Sequence, residues 1–326
     1  MLRRGYPLFI ILSVLACAWA LTANAQTAPA RRTRVAVLDF GETEAGRRVA
    51  DVLASELASA STATGTVEKA ERRIEVLDRE LVRVASRGVG YTGSLNMTLE
   101  EARNLGAAIG CDFFITGEAQ TLRRSPADAP AYEEAYASVF IVSARTGRLV
   151  LSRRPSVISA TTHVAERGLL SVLGEDTRTR YAATILEAQA GEETERRAQL
   201  EQTGEEVVVF EDLSKDEGEG SNKQSDLRPP QPYRRLQPVY TRQAALAEVE
   251  ATVDVLLDID AAGEVSRVEV VRWAGYGLDE SVSETVRRMH FRPAMRGRAP
   301  VPVRVLLRYN FRRPPKSGEQ AQPGKP

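Results

Sequence analysis

Val249-Glu250-Ala251-Thr252-Val253-Asp254-Val255-Leu256-Leu257-Asp258-Ile259-Asp260-Ala261-Ala262-Gly263 decides the fold of the last quarter of the chain. Side chains along a strand alternate between two faces, so Val249, Ala251, Val253, Val255, Leu257 and Ile259 share one face of a strand predicted over 248–260. Glu250, Thr252, Asp254 and Asp258 share the other, with Leu256 the exception. Asp260-Ala261-Ala262-Gly263 reads as a hairpin turn in which Gly263 supplies a positive φ, and a second strand follows over 264–273. Beyond Gly275-Tyr276-Gly277, Leu278, Val282, Val286 and Met289 recur at helical spacing, with Asp279 placed as an N-terminal charge or cap. In the last strand Val301, Val303, Val305, Leu307, Tyr309 and Phe311 point one way and Arg304, Arg308, Asn310 and Arg312 the other. The order is β-β-α-β, one helix on one face of a three-stranded sheet.

Pro238-Val239-Tyr240, Asp258 to Val265, Val268-Glu269-Val270-Val271, Leu278-Asp279, Phe291-Arg292-Pro293-Ala294 and Gly297-Arg298-Ala299-Pro300-Val301 follow one another as in the TonB C-terminal domain, which this region resembles over about 80 of 326 residues. Ala251 departs from the pattern, standing where that family usually has Gly. The resemblance implies a cell-envelope protein whose partner is a short box on an outer-membrane transporter. An open sheet edge takes an extended peptide by strand addition. Arg304, Arg308, Tyr309, Asn310 and Arg312 are therefore the candidate partner-binding residues. The three arginines favour an acidic partner or a phosphorylated headgroup, and a solvated strand face is the alternative.

The chain opens with basic Met1-Leu2-Arg3-Arg4, an apolar stretch of 14 residues from Leu8 to Leu21, and the small-residue site Ala23-Asn24-Ala25. This is a secretory signal over 1–25, short of the roughly 20 residues a membrane span needs. Export to the periplasm or cell envelope follows. Two alternatives stand: lipidation at Cys17 within Val14-Leu15-Ala16-Cys17, and an uncleaved inner-membrane anchor. Cleavage after Ala25 leaves Cys111 as the sole cysteine, with no internal disulfide, and its apolar surroundings read as a buried small side chain.

Residues 34–190 read as a mixed α/β domain, so that the whole chain is α+β. It begins with a short apolar strand over 34–40, then a helix carrying Val49, Val52, Leu53 and Leu57. A strand at Ile74 to Arg79 leads into a helix near 80–86, and a further helix begins near Thr98 with the stripe Leu99, Ala102, Leu105 and Ile109. A strand over 113–120 and a hairpin around Ala144-Arg145-Thr146-Gly147 follow. A helix over 163–189, weakest at Gly174, closes the domain. Val35-Ala36-Val37-Leu38-Asp39-Phe40, Val76-Leu77-Asp78-Arg79, Gly110 to Gly117 and the turn Arg145-Thr146-Gly147-Arg148 resemble a cell-envelope family. That family includes the TolB N-terminal domain, curli-secretion lipoproteins and lipoprotein activators of peptidoglycan synthases. Its members differ in activity, so the resemblance implies an envelope location and protein contacts only.

Residues 187–228 hold 13 Asp and Glu against 5 Lys and Arg, a net of −8, whereas 233–313 hold 14 Arg against 10 acids, a net of +4. Residues 191–232 therefore read as an acidic flexible linker, too charged to bury surface that offsets ordering entropy. Its r.m.s. reach of about 35 Å suits two tethered domains. The apolar island Val207-Val208-Val209-Phe210 is either a strand that docks on a sheet edge or an incidental patch. The C-terminal domain occupies 233–313, and a disordered tail 314–326.

No catalytic, cofactor or metal motif is present. His163 and His290 lie in different domains, without His or Cys at ligand spacing, and no nucleophile elbow or phosphate loop occurs. Gly88-Val89-Gly90 and Gly275-Tyr276-Gly277 read as turns. The charge pattern excludes a nucleic-acid partner, and no small-molecule substrate is inferred. The reading is a non-enzymatic adaptor that binds an outer-membrane transporter or other envelope protein. One alternative is an energy transducer working with an inner-membrane motor complex. Against it stand the short cleavable leader, the absence of the membrane-embedded His of that family, and only Pro229, Pro230, Pro232 and Pro238 in place of its long Pro-rich spacer. A second alternative is an accessory role in secretion or in cell-wall synthase activation through the N-terminal domain.

Overall fold

The computed structural model describes residues 32–62, 74–126, 130–201, 211–212 and 227–313. The expected leader, the apolar island 207–210 and the tail 314–326 lie outside them.

The first domain comprises β1 (Thr33–Val37), α1 (Glu44–Thr62), β2 (Ile74–Val76), α2 (Arg79–Gly88), β3 (Met97–Thr98), α3 (Leu99–Ile109), β4 (Phe113–Arg124), β5 (Tyr132–Ser143), β6 (Leu149–Arg153), β7 (Ser156–Ser159) and α4 (Thr162–Asp176). Its sheet runs β2-β1-β4-β5-β6, with β7 on β5 alongside β6. β1 pairs in parallel with β2 and β4, and the later strands pair antiparallel. β1 is apolar from Val35 to Val37, where both faces are covered. Val35 and Val37 join Leu53, Leu57, Leu169 and Tyr181 under α1 and α4, whereas Ala36 joins Val82, Leu105, Phe114 and Phe140 on the opposite side. α3 starts in a capping box, Thr98 accepting from the Glu101 N–H while the Glu101 carboxylate accepts from that of Thr98.

The expected weak point of the long helix lies three residues beyond Gly174. A π-helical turn at Thr177–Tyr181 joins α4 to α5 (Ala182–Glu201) and buries the Thr177 and Tyr181 side chains. α5 also runs past residue 190, into the segment read as linker. Cys111 is half-buried, its thiol pushed up to about 12 by burial.

β8 (Glu211–Asp212), β9 (Leu227–Arg228) and β10 (Gln231–Pro232) precede α6 (Arg242–Leu246). The C-terminal domain then follows the expected order: β11 (Ala251–Ile259), β12 (Val265–Trp273), α7 (Leu278–Arg287), three short strands β13 (Phe291–Arg292), β14 (Ala294–Arg296) and β15 (Ala299–Val301), and β16 (Val303–Phe311). Val253, Val255, Leu257 and Ile259 are fully buried against Leu278, Val282 and Val286 of α7. Gly263 has φ 87°, and a Cβ there would collide with the Phe291 carbonyl, so the turn admits only glycine.

Two sequence expectations change. The sheet has five strands, in the order β3-β12-β11-β16-β8, because the first domain supplies β3 to one edge and β8 joins the other. The two domains are also docked rather than loosely tethered, since one apolar core runs through both. Trp273 stacks on Phe140 at 5.9 Å and donates from Nε1 to the Gly147 carbonyl at 3.1 Å. Asn96 donates to the Trp273 and Thr252 carbonyls at 2.7 and 2.8 Å and accepts from the Thr252 N–H at 3.2 Å. Aromatic rings of this size do not stay in water when an apolar face is within reach. The end of the acidic segment is fastened too, β9 pairing with β14 and β10 with β13.

Candidate functional site

Each edge of the C-terminal sheet has its own fate. On the β12 edge, Arg272 and Trp273 pair with Thr98 and Met97. On the β16 edge, Val303 and Arg304 pair in parallel with Glu211 and Asp212 of β8. Beyond Arg304, no strand among the described residues pairs with that side of β16.

This open edge borders a groove of about 790 Å³. One wall is residues 305–312. The other is the proline-rich approach to the domain, Pro229 to Tyr240, with Met289 and Phe291 between. Prolines lack the amide hydrogen a sheet edge needs, so this wall lines the strand without pairing with it. It is held in place elsewhere. The Val239 N–H donates to Ser281 Oγ at 2.8 Å, Ser281 Oγ donates to the Val239 carbonyl at 2.9 Å, and Tyr240 Oη donates to the Val249 carbonyl at 2.7 Å. Arg235, Arg308 and Arg312 line the groove, and no Asp or Glu does among the described residues.

The five candidate residues have distinct surroundings. Arg304 and Arg308 lie directly across from Asp258 and Asp254 in the β11–β16 register. Each binds its carboxylate bidentately, at 2.6 and 2.8 Å for Asp258 and at 2.8 and 3.1 Å for Asp254. Both aspartates are thereby buried. Thr252 Oγ1 donates to Asn310 Oδ1 at 2.8 Å. Tyr309 Oη reaches Met289 Sδ at 3.7 Å, and burial raises the Tyr309 pKa against the opposing charge of Arg235. Arg312 is exposed and makes no ion pair among the described residues. Of the five, Arg308, Tyr309, Asn310 and Arg312 line the groove, and Arg304 stands at its closed end beside β8. Sequence reasoning did not find Arg235, whose separation of about 70 residues from β16 gives no local signal.

His290 lies outside the groove and pairs with Glu264 at 2.8 Å. His163 is an exposed residue of α4.

Residues 236–312 match the family model described as Gram-negative bacterial TonB protein C-terminal. This part of the chain is similar to that domain. The solution structure of the Pseudomonas aeruginosa TonB C-terminal domain is 26% identical and covers 28% of this chain and 92% of its own, with a TM-score of 0.23. Similarity also extends to the lipoprotein GNA1162 from Neisseria meningitidis, at 14% identity, 46% and 99% coverage and a TM-score of 0.28. The PelC dodecamer from Paraburkholderia phytofirmans gives 12% identity, 44% and 87% coverage and a TM-score of 0.25. No curated protein matches the chain. In this C-terminal domain the groove borders the open edge of the sheet's last strand.

Proposed function

We propose that the chain is an exported, non-catalytic adaptor of the cell envelope, whose TonB C-terminal domain takes an extended peptide of an outer-membrane or periplasmic partner as an added strand on β16. The observation that carries this reading is the edge of residues 305–311, with which no strand among the described residues pairs, beside a groove lined by Arg235 and Arg312 and by no acid among those residues. Backbone pairing supplies affinity, alternate side chains enter the groove, and the arginines select acidic sequences. On the other edge β3 pairs only with Arg272 and Trp273, but the pocket beside the rest of β12 is lined by Glu269, Asp279, Glu280 and Glu284, which disfavours an acidic peptide there.

Photo-crosslinking amino acids at Leu306 and Asn310, in cells of the source organism, test it. Adducts from both positions are expected within one short acidic stretch of a single envelope protein, with order along the partner matching order along β16. Arg312→Glu, which breaks no ion pair among the described residues, should lower adduct yield about tenfold, corresponding to about 1.4 kcal/mol. Adducts scattered over many proteins, or insensitive to Arg312, would exclude strand addition at this edge.

A further inference from the structure

The β16 edge is partly taken by the chain itself. Glu211 and Asp212 pair in parallel with Val303 and Arg304, at the end of the strand where the groove begins. From the reading of that edge as the partner site, we infer that β8 is an internal competitor, and that the partner strand must displace Glu211-Asp212 to pair along the full length of β16.

Three observations carry this. The first is position. A strand occupying all of 303–311 needs the backbone groups of Val303 and Arg304 that β8 uses, and two strands cannot share one edge. The second is charge. β8 consists of two acids, within a stretch of net −8, and it sits beside Arg304 on a domain of net +4. An internal acidic strand thus imitates the acidic peptide for which the groove is suited. The third is tethering. β8 follows the end of α5 at Glu201 by nine residues, and fourteen residues separate it from β9, itself fastened to β14. Tethers this short hold a ligand at an effective concentration in the millimolar range. Even a two-residue contact that is weak in trans competes at that concentration.

The competition is graded rather than absolute. Among the described residues only Val303 and Arg304 of the edge are covered, so a partner can begin on 305–311 and advance toward Val303 as β8 leaves. A partner that pairs along the whole edge feels the competitor, and one confined to 305–311 does not.

The test uses the full chain and the variant Glu211→Pro/Asp212→Pro, which removes both amide donors of β8 without touching β16. Hydrogen exchange of the Val303, Arg304 and Val305 amides reads the internal contact. Exchange in this stretch should be at least tenfold faster in the variant, with 307–311 unchanged. Binding of a synthetic peptide with the sequence of residues 205–214, Glu-Glu-Val-Val-Val-Phe-Glu-Asp-Leu-Ser, reads the competition. Its affinity should rise about three- to tenfold in the variant.

Equal exchange in the two proteins overturns the inference, and if the peptide still binds β16 then strand addition survives without it. Faster exchange with equal, measurable affinity also overturns it, because β8 then pairs without competing. Faster exchange with no binding to either protein overturns the competition and the strand-addition reading together.

Discussion

Gly275 shows how narrowly the contact between the two domains is specified. Its φ is 72°, and a Cβ at this position would overlap Phe140 Cε1 and crowd Ser152 Oγ. Tyr276 follows with a φ of 55°, a conformation uncommon for a non-glycine residue. Its ring meets Phe140 edge-on at 5.3 Å and its N–H donates to Ser152 Oγ at 3.0 Å. Gly275→Ala should therefore cost about 1–3 kcal/mol from backbone strain and overpacking, read as a lower midpoint in urea denaturation. Asp279 is held nearby, accepting from the Ala274 and Gly275 N–H groups at 2.9 and 2.7 Å. Burial raises its pKa to about 7 against the opposing pull of those two hydrogen bonds. The folded chain then keeps a proton on Asp279 where the unfolded chain has lost it. Stability from this group is full below the unfolded value near 3.8, falls as pH rises toward 7, and is flat above. Melting temperatures measured from pH 5 to pH 8 should decline in the native chain, and Asp279→Asn, which cannot ionise, should flatten that decline.

At the scale of elements, the β11–β16 pair is stabilised from both sides in different ways. One side is apolar, and the other consists of the cross-strand pairs Asp254–Arg308 and Asp258–Arg304. Removing one guanidinium leaves a buried carboxylate short of donors, although Arg272 Nε also lies 3.5 Å from Asp254. Arg308→Ala should thus destabilise the chain by about 1–3 kcal/mol in urea denaturation, whereas Arg312→Ala should change it by less than about 0.5 kcal/mol. Equal effects would show that the Asp254–Arg308 pair is no more structural than an exposed charge. The alternation of β11 made this strand legible in the sequence, as did Gly263 for its turn and Thr98 with Glu101 for the start of α3. The same alternation was silent about what covers the polar face, because Asp254 and Asp258 read alike whether water or arginine lies over them. β3 was illegible for another reason. Two residues carry no periodicity, and their partners on β12 stand about 175 positions away. The π turn moved the irregularity of the long helix from Gly174 to Thr177–Tyr181, where burial of Tyr181 outweighs the low helix propensity of glycine. In the candidate site, Arg308, Tyr309, Asn310 and Arg312 could be read from the last strand, and Arg235 with the proline wall could not.

For the whole molecule, the consequence of docking is mechanical. A core that passes from Phe114 and Phe140 through Trp273 to Val255 and Leu278 leaves no apolar boundary at which one domain separates without exposing the other. Asn96 adds a polar clamp whose three hydrogen bonds all reach across the interface, to Thr252 and Trp273. A pull on the β16 edge is therefore passed through β11 and β12 to β3 and the first domain. Such a body should unfold as one unit, and calorimetry of the native chain should show a single transition with calorimetric and van't Hoff enthalpies in agreement. Trp273→Ala removes the ring stacked on Phe140 and the donor to Gly147, a loss of about 3–5 kcal/mol concentrated at the interface. The transition should then broaden or split, the two enthalpies should diverge, and limited proteolysis should release the C-terminal domain before the first domain is cut. Asn96→Asp should act in the same direction, because a carboxylate in place of the amide faces two carbonyl oxygens. Two separate transitions in the native chain would instead mean that the interface closes without coupling, and that force applied at β16 stops within the C-terminal domain.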